Sequence, residues 1–217
     1  MTSSSVTATS RRGLVHCEIT VAAGDERPET HRATTPNGVI ATPTTMSGSG
    51  CDDPYAVTSL TLKIADADDD LLAVDVFPVC RFSNATRLTI VGRPWNESVT
   101  SLNCFRNIRH LTLKHANADV IQPSLMYDRF RSNDFRSVEV TDSGVDELTS
   151  GVFDGRRMKY LEKLNLSMNN LTKMVNATFT NLETLTTLNL SHNAIRYIAP
   201  QAFANTDIRY TPHCLYV

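Results

Sequence analysis

Two stretches of ten residues decide the fold: LEKLNLSMNN at residues 161–170 and LTTLNLSHNA at residues 185–194. The second begins 24 residues after the first, and both follow the pattern L-x-x-L-x-L-x-x-N-x-L, with isoleucine at the last position of the second copy. Self-similarity at a period of about 20–29 residues is typical of chains that fold as stacked repeats. An enzyme core has no need to repeat itself, whereas a solenoid does.

The repeated pattern predicts a short strand in each copy. Alternate side chains of a strand point to opposite faces, so the leucines of L-x-L face inward and the residues between them face outward. One copy cannot bury its apolar side alone, but stacked copies share one core. The asparagine can both donate and accept hydrogen bonds where the chain leaves the strand. A leucine-rich helix fits poorly, because these leucines do not keep helical spacing.

Weaker copies of the pattern extend toward the N-terminus. One begins at Phe135 and has Ser143 in place of the asparagine, and an earlier one begins at Ile108. Two degenerate copies surround Leu88 and Leu60. A phenylalanine recurs at position 19 of three copies and is expected to fill the convex side: Phe153, Phe179 and Phe203. The sequence therefore predicts an α/β repeat solenoid with a parallel sheet on its concave side and about six repeats.

Residues 135–206 resemble the 24-residue repeats of extracellular leucine-rich repeat proteins such as Toll-like receptors, slit-like guidance proteins and insect immune repeat proteins. Phe179 and Phe203 occupy the phenylalanine slot of that family. The resemblance is weaker over residues 57–134 and does not include residues 1–50. It implies a leucine-rich repeat horseshoe that binds through its concave face. Members usually carry cysteine-clustered caps, whereas here only Cys51 directly precedes the first repeat and Cys17 lies far upstream, so we expect a fragment of a longer protein.

Composition divides the chain of 217 residues into three parts. The first 50 residues are rich in Ser and Thr and lack apolar periodicity, so residues 1–50 are expected to be disordered. Residues 51–210 are predicted to form the repeat domain, and residues 211–217 a tail. No apolar run is long enough to be a transmembrane segment, and no credible signal peptide is visible. The net charge of -2 argues against nucleic acid as a partner.

Cysteines and sequons suggest extracellular chemistry. Five cysteines leave at least one unpaired within the chain. Cys80 and Cys104 are candidates for a disulfide between neighbouring coils, although two buried thiols would fit the same positions. Asn165 and Asn189 are sequons that belong to the repeat consensus. The remaining sequons are the predicted glycosylation sites: Asn84, Asn96, Asn170 and Asn176.

The outward strand positions carry a basic cluster, which is the predicted binding site on the concave face: Lys63, Arg87, Arg109, His110, Lys114 and His115. Four members of this cluster come from one predicted strand, so we expect them to crowd together: Arg109, His110, Lys114 and His115. Such a cluster would bind an acidic patch on a protein or glycan. A solvated face of mixed charge is the alternative, because Glu139 and Glu162 follow on the same face.

The sequence contains no convincing motif for catalysis or for binding a metal ion or a cofactor. The run Asp66–Asp70 begins like a calcium loop, but Leu71 and Phe77 stand where the glycine and the late glutamate are needed, so it is interpreted as a solvated turn. His110 and His115 lie five residues apart rather than the four of a helical zinc motif. Nucleophile-elbow, phosphate-loop and C-x-x-C motifs do not occur. We therefore expect no metal, no cofactor and no enzyme.

Together these features predict a non-enzymatic recognition module of a cell-surface or secreted receptor, and the resemblance adds immune or cell-surface signalling. Two alternatives stay open. One is an extracellular matrix or adhesion protein with structural repeats, and the other is a cytoplasmic adaptor whose sequons are unused. The ligand and the oligomeric state do not follow from the sequence.

Overall fold

The structure is a computed structural model of the chain and describes residues 5–11, 14–21, 51, 53, 55–64, 82–92, 104–116, 134–206 and 215–216. The predicted repeat solenoid with a parallel sheet is confirmed. The described residues contain no α-helix, so their connections on the far side of the solenoid are turns and two-residue strands. They also contain no helix that could span a membrane.

Thirteen strands follow one another along the described residues: β1 Ser5–Arg11, β2 Leu14–Val21, β3 Val57–Ile64, β4 Arg87–Val91, β5 His110–Lys114, β6 Ser137–Thr141, β7 Phe153–Asp154, β8 Lys163–Asn165, β9 Lys173–Met174, β10 Phe179–Thr180, β11 Thr187–Asn189, β12 Tyr197–Ile198 and β13 Leu215–Tyr216. Nine of them form one sheet in the order β1-β2-β3-β4-β5-β6-β8-β11-β13. Only β1 and β2 pair antiparallel in this sheet. Two small parallel sheets, β7–β10 and β9–β12, lie on the other side of the coils.

The first leucine position of the repeats forms one continuous row across the sheet. The paired residues are Leu60, Leu88, Leu111, Val138, Leu164, Leu188 and Leu215. From Leu60 to Leu188 their side chains are at most 1% exposed. Burying each of these side chains stabilises the fold by about 1.5–3 kcal/mol, and only stacked copies can supply that burial. The strands β3, β4, β5, β6, β8 and β11 therefore follow the predicted phase of the leucine pattern.

The repeated asparagine joins neighbouring coils. Asn169 is buried, and its Oδ1 accepts hydrogen bonds from the backbone N–H of Ser143 at 3.1 Å and of Val145 at 3.3 Å, both in the preceding coil. Its Nδ2 donates to the carbonyl of Val140 at 2.8 Å and to two carbonyls of its own coil. Ser143, in the same slot one coil earlier, accepts from the N–H of Ala116 at 3.1 Å. In these two coils, this repeat position thus satisfies buried backbone groups of the turn.

Five strands of the central sheet, β4, β5, β6, β8 and β11, are followed by a residue in the left-handed region. The residues at this position have φ between 51° and 109°: Gly92, His115, Asp142, Met168 and His192. Only the first is glycine, which adopts this conformation without steric cost. On the other side of the coils, the ring of Phe179 stacks on Phe153 at 5.6 Å and on Phe203 at 5.2 Å between centroids. These three rings fill the convex side, as their spacing predicted.

The N-terminal segment differs from the sequence prediction. Residues 1–50 were expected to be disordered, yet β1 and β2 form a hairpin whose second strand pairs in parallel with β3. Cys17 is fully buried in the core and forms a disulfide with Cys51. The hairpin therefore extends the sheet beyond the first repeat and satisfies the edge of β3. In the predicted tail, β13 pairs with β11 and adds a further strand to the sheet. The predicted domain limits at residues 51 and 210 stay predictions.

Candidate functional site

The candidate site lies on the sheet face opposite the core, which we call the outer face. Parallel register aligns outward side chains of neighbouring strands into rows. The row at the start of the strands contains His16, Ser59, Arg87, His110, Ser137, Lys163 and Thr187. The row at the strand centre contains Glu18, Thr61, Thr89, Thr112, Glu139, Asn165 and Asn189. Most side chains in both rows are polar, and their charges are unevenly distributed.

Three residues of the predicted cluster lie at neighbouring backbone positions at the start of β4 and β5. Arg87 is the first residue of β4, and its Cα pairs in register with that of His110, the first residue of β5. Arg109 directly precedes His110, and its backbone N–H donates to the carbonyl of Thr86 at 2.8 Å. Both arginines are exposed and His110 is half-buried. We call Arg87, Arg109 and His110 the cationic patch.

The other members of the predicted cluster lie elsewhere. His110 and Lys114 are at opposite ends of β5, which at about 3.3 Å per residue separates them by about 13 Å. The expectation that the residues from Arg109 to His115 crowd together is therefore wrong, because an extended strand spreads them along its length. Lys114 lies 3.7 Å from the carboxylate of Glu139, in the adjacent strand.

Lys63 and His115 also lie apart from the patch. Lys63 forms a 2.8 Å ion pair with Glu18 of β2. Lys63 is therefore charge-compensated, as Lys114 is. His115 is exposed and occupies the left-handed turn that follows β5.

The charge of the patch is compensated little by its surroundings. Among the described residues, no carboxylate lies within ion-pair distance of Arg87 or Arg109. The next strand on the C-terminal side is β6, and Arg136 directly precedes it. The guanidinium of Arg136 is paired with the carboxylate of Glu162. Arg136 is therefore charge-compensated. Among the described cations of the outer face without an ion pair, Arg87 and Arg109 lie on adjacent strands, whereas Lys163 lies apart, at the start of β8.

The electrostatic environment of His110 reflects this concentration. Burial lowers the pKa of its imidazole below the ordinary value of 6.5, and the guanidinium of Arg87 lowers it further. Arg109 and Arg136 act in the same direction, whereas Glu162 raises the pKa. The imidazole is therefore neutral at pH 7, and its protonation depends on the charge that faces the patch.

The predicted modification sites lie at several places on the solenoid. Asn84, Asn170 and Asn176 are exposed, as an acceptor of a glycan must be. Asn165 and Asn189 are half-buried neighbours in the central row of the outer face, and each Oδ1 accepts a backbone hydrogen bond from the serine two residues later.

Several predicted features lie wholly or partly outside the described residues. Cys104 is disulfide-bonded, which replaces the interpretation of this residue as a buried thiol. Its predicted partner Cys80, the sequon at Asn96 and the acidic run Asp66–Asp70 lie outside the described residues. Within the described residues, no group of three His, Cys, Asp or Glu side chains could hold a metal ion.

Two features of the outer face were missed from the sequence. The first is the pairing of Arg136 with Glu162, which compensates the cation next to the patch on the C-terminal side. The register of the repeats could have revealed it, because both residues hold position 2 of successive copies. The second is strand β2, which adds His16 and Glu18 to the outer face and comes from a segment that was expected to be disordered.

Comparison with known families agrees with this architecture. Residues 136–207 match the family model described as leucine rich repeat. This segment therefore consists of leucine-rich repeats, and β3, β4 and β5 continue its register toward the N-terminus. Leucine-rich repeat domains are generally protein-interaction modules.

Proposed function

We propose that this protein is a non-enzymatic recognition module whose outer face binds an acidic region of a protein partner, with the cationic patch at its centre. The observation that carries the proposal is the pair of arginines on adjacent strands, Arg87 and Arg109, which have no carboxylate partner among the described residues. Charged groups held on a rigid sheet accelerate and orient association with a partner of opposite charge.

The surroundings of the patch suit a macromolecular surface. Thr89 and Thr112 lie beside it in the central row, with short side chains that leave both arginines accessible. Each strand is fixed by hydrogen bonds to two neighbours, so binding orders little more than the long side chains themselves. Such pre-organisation reduces the entropy cost of association.

We propose that the module belongs to a cell-surface or secreted protein. Cys17 and Cys51 form a disulfide, and Cys104 is disulfide-bonded as well. Disulfides persist in oxidising compartments and are rare in the cytosol. The exposed sequons at Asn84 and Asn176 agree with that placement. A role in immune or cell-surface signalling rests on the resemblance of the repeats alone.

The acidic-partner proposal can be tested with a fluorescein-labelled oligoglutamate peptide and fluorescence anisotropy. The variant Arg87→Glu/Arg109→Glu should weaken binding at least about tenfold, because it reverses both uncompensated charges. The matched control, Lys159→Glu/Arg196→Glu, makes the same change in net charge on exposed residues that lie outside the central sheet and form no ion pair among the described residues. The control should bind within about twofold of the wild type. Equal loss in both variants would show that only net charge matters and would refute a located site.

The proposed location has a separate test. The natively expressed protein should run faster on a gel after enzymatic removal of N-linked glycans. An unchanged mobility, with the protein recovered from the cytosol, would favour an intracellular adaptor and remove the extracellular part of the proposal.

A further inference from the structure

We infer that Arg87, Arg109 and His110 form a compact oxyanion subsite for a single sulfate or phosphate monoester carried by a side chain of the protein partner. The inference rests on the proposed function, because it names the chemistry of the group that the outer face recognises. It goes further in predicting one anionic group rather than a diffuse acidic surface.

The geometry of the three side chains fits such a group. Arg87 and His110 start adjacent strands in register, and neighbouring strands lie about 4.8 Å apart. Arg109 enters from the residue before β5. Two guanidinium forks and one imidazole can therefore converge on one centre. A monoester offers three terminal oxygens to these donors, whereas a carboxylate offers two. Arginine is the residue best suited to bidentate recognition of such oxyanions.

The neighbouring rungs favour one compact anion over a long polyanion. On the C-terminal side, Glu162 already holds Arg136, so an extended anion would meet a paired carboxylate there. On the N-terminal side, Ser59 and His16 hydrogen-bond to each other at 2.9 Å, and neither carries a permanent charge. The adjacent uncompensated cations therefore span two strands, β4 and β5, and the next one in the same row, Lys163, lies two strands further on. A chain of many sulfate groups would have to pass the paired Arg136 and Glu162 to reach it, so it would gain little beyond its first contact.

Binding at this subsite is coupled to the uptake of a proton. In the free protein, burial and then Arg87, Arg109 and Arg136 lower the pKa of His110, and only Glu162 opposes them. An anion seated against the patch offsets the positive charge and raises the pKa of the same imidazole. Because the bound state then holds more protons than the free state, affinity increases as the pH falls through the titration of His110.

Three short capped peptides that differ in one residue test this chemistry: one with sulfotyrosine, one with phosphotyrosine and one with glutamate. At about pH 6, the two monoester peptides should bind at least about fivefold more tightly than the glutamate peptide. Arg87→Gln and Arg109→Gln should each remove most of that preference. The control Arg196→Gln, at an exposed residue outside the central sheet, should keep it.

The pH series tests the coupling and separates the two monoesters. Sulfate keeps one charge throughout, whereas phosphate gains its second charge near about pH 6, so the sulfotyrosine peptide isolates the titration of the protein. Between about pH 8 and about pH 5.5, its affinity should increase about three- to tenfold. His110→Gln should make its binding independent of pH, a result that a purely structural role for this residue would not give.

The outcomes distinguish this inference from the proposed function. Equal binding of the three peptides, with loss in the arginine variants, would overturn the monoester subsite and leave an acidic-protein binder. A sulfated polysaccharide that binds far more tightly than the single-group peptide would overturn the compact subsite, because it would require contacts beyond two strands. Failure of the monoester peptides and oligoglutamate to bind would overturn both proposals.

Discussion

Replacing Asn169 with alanine tests how the coils are held together. Its side chain is 6% exposed and serves two backbone N–H groups and three carbonyls at the junction of two coils. The equivalent Asn193 is half-buried and serves one N–H, that of Leu171, at 3.0 Å. The two substitutions remove the same atoms. The difference between their losses of unfolding free energy therefore reports how deeply each asparagine is buried and how many backbone amides lose their acceptor.

The structure sets the expected magnitudes. A buried donor that loses its partner costs about 1–3 kcal/mol, and carbonyls tolerate the loss better because each has a second lone pair. Asn169→Ala leaves two N–H groups without an acceptor and should destabilise the protein by about 3–5 kcal/mol. Asn193→Ala leaves one and should cost about 1–2 kcal/mol.

Hydrogen exchange by NMR is the appropriate assay, because coils of a repeat protein can open separately. In Asn169→Ala, the amides of Ser143 and Val145 should lose protection first. In Asn193→Ala, the amide of Leu171 should do so while those two stay protected. Equal destabilisation, or loss of protection spread evenly over the coils, would refute the assignment of this slot as the link between coils.

Three further predictions concern other parts of the solenoid. Gly155→Ala should destabilise by about 2–4 kcal/mol, because a Cβ there would lie 1.7 Å from a backbone carbonyl oxygen in the next coil. The hydrogen bond from Arg156 lowers the pKa of Asp154 from 3.8 to about 2 in the folded protein. This shift should contribute about 2 kcal/mol of stability above pH 3.8, and the contribution should be lost as the pH falls through about 2. Replacing Cys17 and Cys51 with serine, which opens a cross-link over 34 residues, should cost about 3–4 kcal/mol.

Each of these predictions has a control. For Gly155, the comparison is Gly144→Ala, where a Cβ has open space and only the positive φ of 67° opposes alanine; equal costs would contradict the steric argument. For Asp154, Asp154→Asn should reduce the fall of the melting temperature at acid pH. An unchanged fall would assign the loss of stability to other carboxylates. For the disulfide, exchange should accelerate mainly in β1 and β2, and a uniform effect would argue against a local N-terminal cap.

The C-terminal coils could be predicted from sequence almost completely. Leu164 and Leu188 recur in equivalent slots because each coil offers the same volume to the core, so the period reveals the strands and their register. The N-terminal hairpin could not be predicted as easily, since its Ser and Thr content resembles that of a disordered segment. Its signal is the alternation in LVHCEITV at residues 14–21, which places Cys17 on the apolar side.

The candidate site was predictable only in part. Alternation along each strand places Arg87 and His110 on the outer face, and the repeat phase makes them neighbours. Compensation of Lys63 by Glu18 could not be foreseen, because the partner lies 45 residues away in the hairpin. The sequence therefore indicates which side chains face outward. The ion pairs between neighbouring strands decide which of their charges stay uncompensated.

The most direct test of the recognition surface is an amide chemical-shift map of the isotope-labelled protein titrated with the oligoglutamate peptide. The largest shifts should occur at Thr86–Thr89 and Arg109–Thr112, with little change around Arg196. Shifts concentrated on the other side of the coils, or spread evenly over all exposed cations, would contradict it.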